Sequence, residues 1–256
     1  MILRRIAQHM KQQHWTGVFI ELLIVILGVF IGLQVDNWNQ ARVERGAEIT
    51  YLSALSQDVS YSITSLEKSR QELIEADRDR AALYAYSMAP TATLSDELLD
   101  KYLRDGVFNL NGTLNISQVT FQTLKSSGHL EVIKSHELVS ALQDISSDVA
   151  RIEHYQADEL EVIHLFSDPV LIEHFDLRGT FQLQMDPDDP AVPWLPKDRL
   201  PMPRPKVLGS VRFRNILLYR SKLSEIRLEY VRKLLDLQRK VAKLIKARQR
   251  ELGVRP

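Results

Sequence analysis

Glu161-Val162-Ile163-His164 places a carboxylate and an imidazole three residues apart, the spacing that brings two metal ligands to one face of a helix. Carboxylate-bridged di-iron bundles need two such motifs and two further glutamates. The chain has one, so a solvated helix edge is expected here instead of a metal. Asp186, Asp188 and Asp189 supply oxygen ligands close together, but the central glycine and terminal glutamate of a calcium loop are missing. A charged surface loop is the expectation. His154, His164 and His174 recur every ten positions, a step that does not stack side chains on one helical face. Asn111-Gly112-Thr113 and Asn115-Ile116-Ser117 fit the glycosylation triplet, a pattern common by chance.

Other chemistry is excluded outright. Cysteine is absent, which removes disulfides, thiolate metal sites and cysteine nucleophiles. The chain holds no glycine-rich phosphate loop, no G-x-S-x-G elbow and no H-E-x-x-H. We therefore expect no enzyme: no catalytic residue, no cofactor and no metal.

The most specific segment is apolar. Gly17 to Val35 reads GVFIELLIVILGVFIGLQV, and about 20 such residues rising about 1.5 Å each match a hydrocarbon core about 30 Å thick. Trp15 and Trp38 bracket it as interfacial anchors, since indole rings favour the headgroup level. A cleaved signal peptide would have a shorter apolar core and a small-x-small cleavage site. Here the run ends in Gln34-Val35-Asp36-Asn37-Trp38, so an uncleaved, single-pass signal-anchor is expected. Arg4, Arg5 and Lys11 precede it, against Arg42 and Arg45 close behind. That bias predicts a cytoplasmic N-terminus and a soluble domain outside the cytoplasm.

Gly28 and Gly32 form the G-x-x-x-G pair that lets two helix backbones approach closely. At 100° per residue Gly17, Glu21, Gly28 and Gly32 lie within about 60° of one another. The one carboxylate therefore shares a face with the small residues. A charge at this depth faces a partner, a cavity or the interface. Glu21, Gly28 and Gly32 are the candidates for helix association, with the snorkelling of Glu21 to the headgroups as the rival.

These features need elements to carry them. Over 256 residues, hydrophobic side chains make up 45% and charged ones 26%, values that favour a folded chain over disorder. Three segments are expected: a basic tail at 1–16, the transmembrane helix at 17–35, and a soluble domain at 36–256. Within the last, Ile49, Leu52, Leu55, Val59, Ile63, Leu66 and Leu73 step by three and four, one face of a long helix reaching about Met88. No breaker separates it from the apolar segment, so a continuous stalk is expected. Ser95 N-caps a short helix that Gly106 ends. FNLNGTLNIS reads as a polar, turn-rich loop. A second short helix closes at Ser126-Ser127-Gly128, with Gly128 as its left-handed cap.

Ser135 opens a longer helix with stripe Leu138, Leu142, Ile145, Val149, Ile152, Leu160 and Ile163, kinked at Pro169. Prolines from Pro187 to Pro205 make 176–208 an extended connection. The last helix runs from about Ser210 to Leu252 with Ile216, Leu223, Tyr230, Leu234, Leu237, Val241 and Leu244 on one side. No strand-like alternation is sustained. The fold class is all-α: an N-terminal transmembrane helix continuing into an antiparallel bundle of long amphipathic, coiled-coil-like helices.

The net charge of +0 conceals an asymmetry. Glu153 to Asp189 is strongly acidic, and Arg232 to Arg255 is strongly basic. Either the two neutralise each other, or the basic tail meets anionic lipid or nucleic acid. Nothing else in the sequence supports nucleic acid.

IELLIVILGVFIGLQVDNWNQ and TFQTLKSSGHLEVIKSHELVSAL together resemble a bacterial family of small single-pass membrane proteins known only as a domain of unknown function. The glycine-bearing anchor ending in GLQVDNWN is the most specific part. The resemblance implies a protein of the bacterial inner membrane and transfers no catalytic residue. The expected function is an anchored interaction or scaffold protein whose partners are the lipid bilayer and a second copy or another membrane helix. The alternative is an extracytoplasmic sensor of an unknown small molecule. It would signal through a separate partner, because about 16 residues before the anchor are too few for an output domain. A third class is an enzyme with an unfamiliar site.

Overall fold

The computed structural model describes residues 15–89, 94–176 and 204–254. All regular structure among them is helical: α1 (Trp15–Met88), α2 (Asp96–Tyr102), α3 (Val119–Ser126), α4 (His136–Val162), α5 (Asp168–His174), α6 (Arg204–Leu208) and α7 (Val211–Glu251). A π-helical turn, Leu103–Phe108, continues α2, and another, Ile163–Ser167, joins α4 to α5. The Asp186 to Asp189 cluster, most of the proline-rich connection and the basic tail lie outside the described residues. The chain divides into two compact units, 1–50 and 51–256.

In the first unit the described residues belong to α1, a single 74-residue helix that extends into the second. The side chains from Phe19 to Val35 are exposed all round, although a helix apolar on every side is one that a core or a membrane would bury.

In the second unit the seam of α1 is buried at Leu52, Leu55, Val59, Ser62, Leu66, Ser69, Leu73, Ala76, Arg80, Leu83 and Ser87, with Asp79 buried beside it. Their alternating steps of three and four trace a coiled-coil seam. α7 repeats the pattern through Leu217, Arg220, Ser224, Arg227, Val231, Leu234, Gln238, Val241 and Ile245. Ion pairs and hydrogen bonds fix the directions. Arg239 meets Glu67, and Arg80 meets Ser221 and Ser224, so α7 runs antiparallel to α1. Lys240 meets Glu137 and Lys233 meets Asp148, so α7 is also antiparallel to α4. Consequently α1 and α4 run parallel, and the chain between them must travel the length of the bundle.

That return is made by residues 109–118. They are not the turn-rich loop expected from their composition but an extended segment laid along α1. Asp58 to Arg80 is 22 residues of helix, about 33 Å at 1.5 Å each. About ten extended residues span the same distance. Two serines of the α1 seam make room and supply polar partners. Ser69 Oγ donates to the Thr113 carbonyl at 2.9 Å, and the Ser117 N–H donates to Ser62 Oγ at 3.0 Å. Asp58 then accepts from the Ser117 hydroxyl and the Thr120 N–H, turning the chain into α3.

The expected serine caps form: Ser95, Ser135 and Ser210 accept from Leu98, Leu138 and Phe213 N–H groups. Gly128 has φ +74° and ends α3 as expected. Gly106 does not end α2, because the chain widens into the π-turn and runs on to Phe108. The kink expected at Pro169 is likewise a π-turn. Pro169 has no N–H for the Leu165 carbonyl, and the Asp168 N–H reaches back five residues to Ile163.

Two apolar clusters result. One gathers Leu52, Leu66, Leu124, Ile152, Leu234 and Ile245. The other gathers Leu83, Leu99, Leu103, Leu171, Leu208 and Phe213.

Candidate functional site: a buried guanidinium belt and an apolar groove

Between the two clusters lies a layer of buried charge. Arg80, Arg220, Arg227 and Glu159 are each no more than 1% exposed. Burying a guanidinium is costly unless every donor finds an acceptor. Here the acceptors are mainly backbone carbonyls of the π-turn and the returning chain, and of the buried donors Arg227 Nε is left without one. Arg80 donates to Gly106 at 3.2 Å and to Ser221 and Ser224. Arg220 donates to Val107 and, at 2.7 Å, to Asn109. Arg227 donates to Asn111 at 2.8 Å and Gly112 at 2.7 Å. Glu159 bridges two of them, 3.1 Å from Arg220 and in direct contact with Arg227.

The layer does two things at once. Carbonyls at the end of a helix lack intrahelical partners, and cations there also meet the negative end of the helix dipole. Three arginines therefore cap the π-turn and hold the return segment. Gly112 fits this crowded place, with φ +62° and no side chain to strike Leu73 and Ser69. Its N–H donates to Glu72.

The electrostatics follow from burial. Desolvation lowers the Arg220 guanidinium to about 10, and the Glu159 carboxylate opposes that shift. Desolvation also lowers Arg80, again opposed by Glu159. The layer holds no nucleophile beside a base and no pair of facing carboxylates. Its chemistry is that of a structural clamp.

A second feature is open. Where the Ile163–Ser167 π-turn faces the start of α7, a groove of about 510 Å³ is lined by Val162, Phe166, Val211, Ile216 and Tyr219, with Arg212 and Asn215 as its polar members. Phe166, Val211 and Tyr219 are about half exposed or more. Two buried oxygens of the neighbouring chain, Ser167 Oγ and Asp168 Oδ1, have no hydrogen-bond partner.

The residues singled out by sequence lie elsewhere. Glu21, Gly28 and Gly32 are exposed on α1, and a Cβ at either glycine would meet nothing within 4 Å. Trp15 opens α1; Trp38 is 67% exposed, with the Arg42 guanidinium 5.9 Å from its ring. Glu161 and His164 are exposed, and no group of three or more metal-ligating side chains occurs among the described residues.

Sequence reasoning missed the belt, although a signal was present. The α4 stripe was continued from Ile152 to Leu160, but the seven-residue repeat leads to Glu159, which is buried while Leu160 is 39% exposed. A charge on an apolar seam was the clue. Of the basic end of α7, Lys233 pairs with Asp148, Arg239 with Glu67 and Lys240 with Glu137, while Asp186, Asp188 and Asp189 of the acidic stretch lie outside the described residues.

Comparison with protein-family models, curated proteins and solved structures finds no match for this chain. Among the described residues one helix is long and apolar enough to cross a membrane: within Phe19–Met88, an 18-residue window has mean hydropathy 2.2 and is 0% buried.

Proposed function

We propose that the protein is a membrane-anchored helical interaction or scaffold protein of the bacterial inner membrane, without catalysis of its own. The observation that carries this reading is the unburied apolar segment of α1. A core helix of a water-soluble domain would bury such a segment, and lipid or a partner helix is the remaining environment for it. The lysine and arginine bias supports a cytoplasmic N-terminus with the bundle outside the cytoplasm. The run Gln34-Val35-Asp36-Asn37-Trp38, unlike a small-x-small cleavage site, supports an uncleaved anchor.

Localisation is tested by carbonate extraction and by a C-terminal alkaline phosphatase fusion. The chain should stay with the membrane pellet and the fusion should be active. An inactive phosphatase beside a bright cytoplasmic fluorescent fusion would reverse the topology.

The glycine face of α1 is assigned to pairing with a second copy or with another membrane helix. Replacing both Gly28 and Gly32 with Ile should abolish signal in a membrane self-association reporter, while Val29→Ile with Leu33→Ile should leave it nearly unchanged. Glu21→Gln separates the carboxylate from the packing. Equal signal from wild type and the double-Ile variant would exclude pairing of identical helices through this face.

The groove favours a second reading, an extracytoplasmic sensor of a small ligand acting through a separate partner. Its size is in the range of small-molecule sites, about 300–1,000 Å³.

A further inference from the structure

We propose that the groove between the Ile163–Ser167 π-turn and the start of α7 binds an amphipathic carboxylate, an acyl chain with an anionic head. This rests on the sensor reading and gives that site its ligand class. Two observations define the class. The walls contributed by Val162, Phe166, Val211 and Ile216 are apolar; Val162 and Ile216 form a buried floor, and Phe166 and Val211 are left to solvent. Covering them is favourable at roughly 25 cal/mol per Å². The polar side is not neutral: Arg212 lines the groove, and no carboxylate among the described residues pairs with it. Asn215, one turn further along α7, adds an amide. A guanidinium beside an amide recognises a carboxylate through charge-assisted hydrogen bonds, and no wall residue offers a carboxylate to compete.

The walls are also well placed to report occupancy. π-turns within helices recur at functional sites, and Phe166 stands on one. Val162 follows Glu159 by one helical turn and Ile216 precedes Arg220 by one turn, so both walls are attached to the clamp. A peptide-length helix would need a longer trough than about 510 Å³ provides.

The test uses the full-length protein in phosphatidylcholine nanodiscs and a diazirine-bearing decanoic acid, with the matching diazirine alcohol as control. Labelled residues are mapped by mass spectrometry. The acid should label the segments 162–166 and 211–219, and unlabelled decanoate should compete whereas decanol should not. Arg212→Gln should raise the half-labelling concentration of the acid about tenfold and leave the alcohol unchanged. Val211→Trp should block the groove to both probes. Circular dichroism melts matching wild type would show that these exposed replacements leave the fold intact. Equal labelling by acid and alcohol would overturn the carboxylate assignment while leaving a ligand groove in place. Labelling no stronger than that of Val211→Trp would overturn the groove as a ligand site, and with it the support for the sensor reading. Capture of a second copy by a photoreactive side chain at Phe166, without probe labelling, would make this face a protein interface and overturn the proposal too.

Discussion

The two apolar clusters of the bundle are built by different means. The first, around Leu66 and Leu234, is the meeting of three long helices whose seams repeat every seven residues. The second, around Leu103 and Phe213, is assembled from the last turns of α1, short helices, the Leu103–Phe108 π-turn and the first turns of α7. Regular seams close on themselves and leave little apolar surface outside. Irregular elements meet less completely, and the groove opens beside one of the π-turns. The guanidinium belt marks the change between the two regimes. It stands where α1, α4 and α7 stop packing only against each other and begin to hold a backbone that supplies its own unpaired carbonyls. The apolar cost of irregularity appears as the groove, and the polar cost appears as the belt.

Removing the one carboxylate of the belt should produce the largest effect. Glu159→Gln keeps the shape and leaves buried Arg220 and Arg227 without their counter-charge, a change that typically costs about 3–5 kcal/mol. The exposed neighbour Glu161→Gln should stay within about 0.5 kcal/mol of wild type. Denaturant unfolding followed by circular dichroism measures both. Equal midpoints would mean that the carbonyls alone compensate the arginines and that Glu159 is dispensable. The pH dependence has a definite sign. Arg220 is lowered to about 10 in the fold, well below an ordinary guanidinium. The native state therefore releases this proton first, and over that interval the unfolded chain binds more protons. The contribution of Arg220 to stability rises with pH from about 10 upward. At neutral pH its burial is a cost that Glu159 and the carbonyls offset.

The same contrast explains what was legible in the sequence. The long helices, the serine caps and the left-handed Gly128 could be read because each is a local pattern: a repeat, a hydroxyl before a run, a glycine after one. The apolar segment was legible for the same reason. The path of 109–118 was not, since its polar composition is ordinary for an exposed loop. Arginines of a helix about a hundred residues away hold its half-buried carbonyls in place. Where charge interrupts them the stripes also miss the seam: on α4 the stripe takes Leu160 in place of Glu159, and on α7 it passes over Arg220 and Arg227. Hydrophobic periodicity is blind to a buried ion pair. The groove could not be inferred at all, because a π-turn shifts the register of every side chain after it.

Gly112 offers a smaller effect on the ordered side of the belt. A Cβ there would stand 2.6 Å from Leu73 Cγ and 2.8 Å from the Ser69 carbonyl oxygen, at φ +62°. Gly112→Ala should cost about 2–3 kcal/mol, combining the left-handed backbone penalty with the clash. Gly128→Ala is the matched control, with φ +74° and nothing within 4 Å. It should cost about 1 kcal/mol, from the backbone alone. The difference between the two measures how tightly the return segment is pressed against α1. If both variants lose the same stability, the segment can move aside and the cluster around Leu66 is less firmly closed than the seam implies.

Pro169 gives the smallest change in stability and the sharpest test of the irregular side. Pro169→Ala restores an N–H that could reach the Leu165 carbonyl, removing one reason for the five-residue hydrogen bond from Asp168 to Ile163. It also returns conformational freedom to the unfolded chain, which destabilises by about 0.4–1 kcal/mol. A regained backbone hydrogen bond contributes about the same in the opposite direction. The net change in unfolding free energy should therefore lie within about 0.5 kcal/mol. Its structural consequence is larger. If the proline holds the π-turn open, the alanine variant should relax toward regular helix and rotate Phe166 away from its place in the groove wall. A fluorine-labelled phenylalanine at Phe166 would then change its chemical shift, while one at Phe213 in the neighbouring cluster would not. An unchanged Phe166 signal would place the cause of the π-turn in the packing of Ile163 and Leu171 beneath it, both nearly fully buried. The irregularity would then be imposed by the core, with the proline only tolerated there.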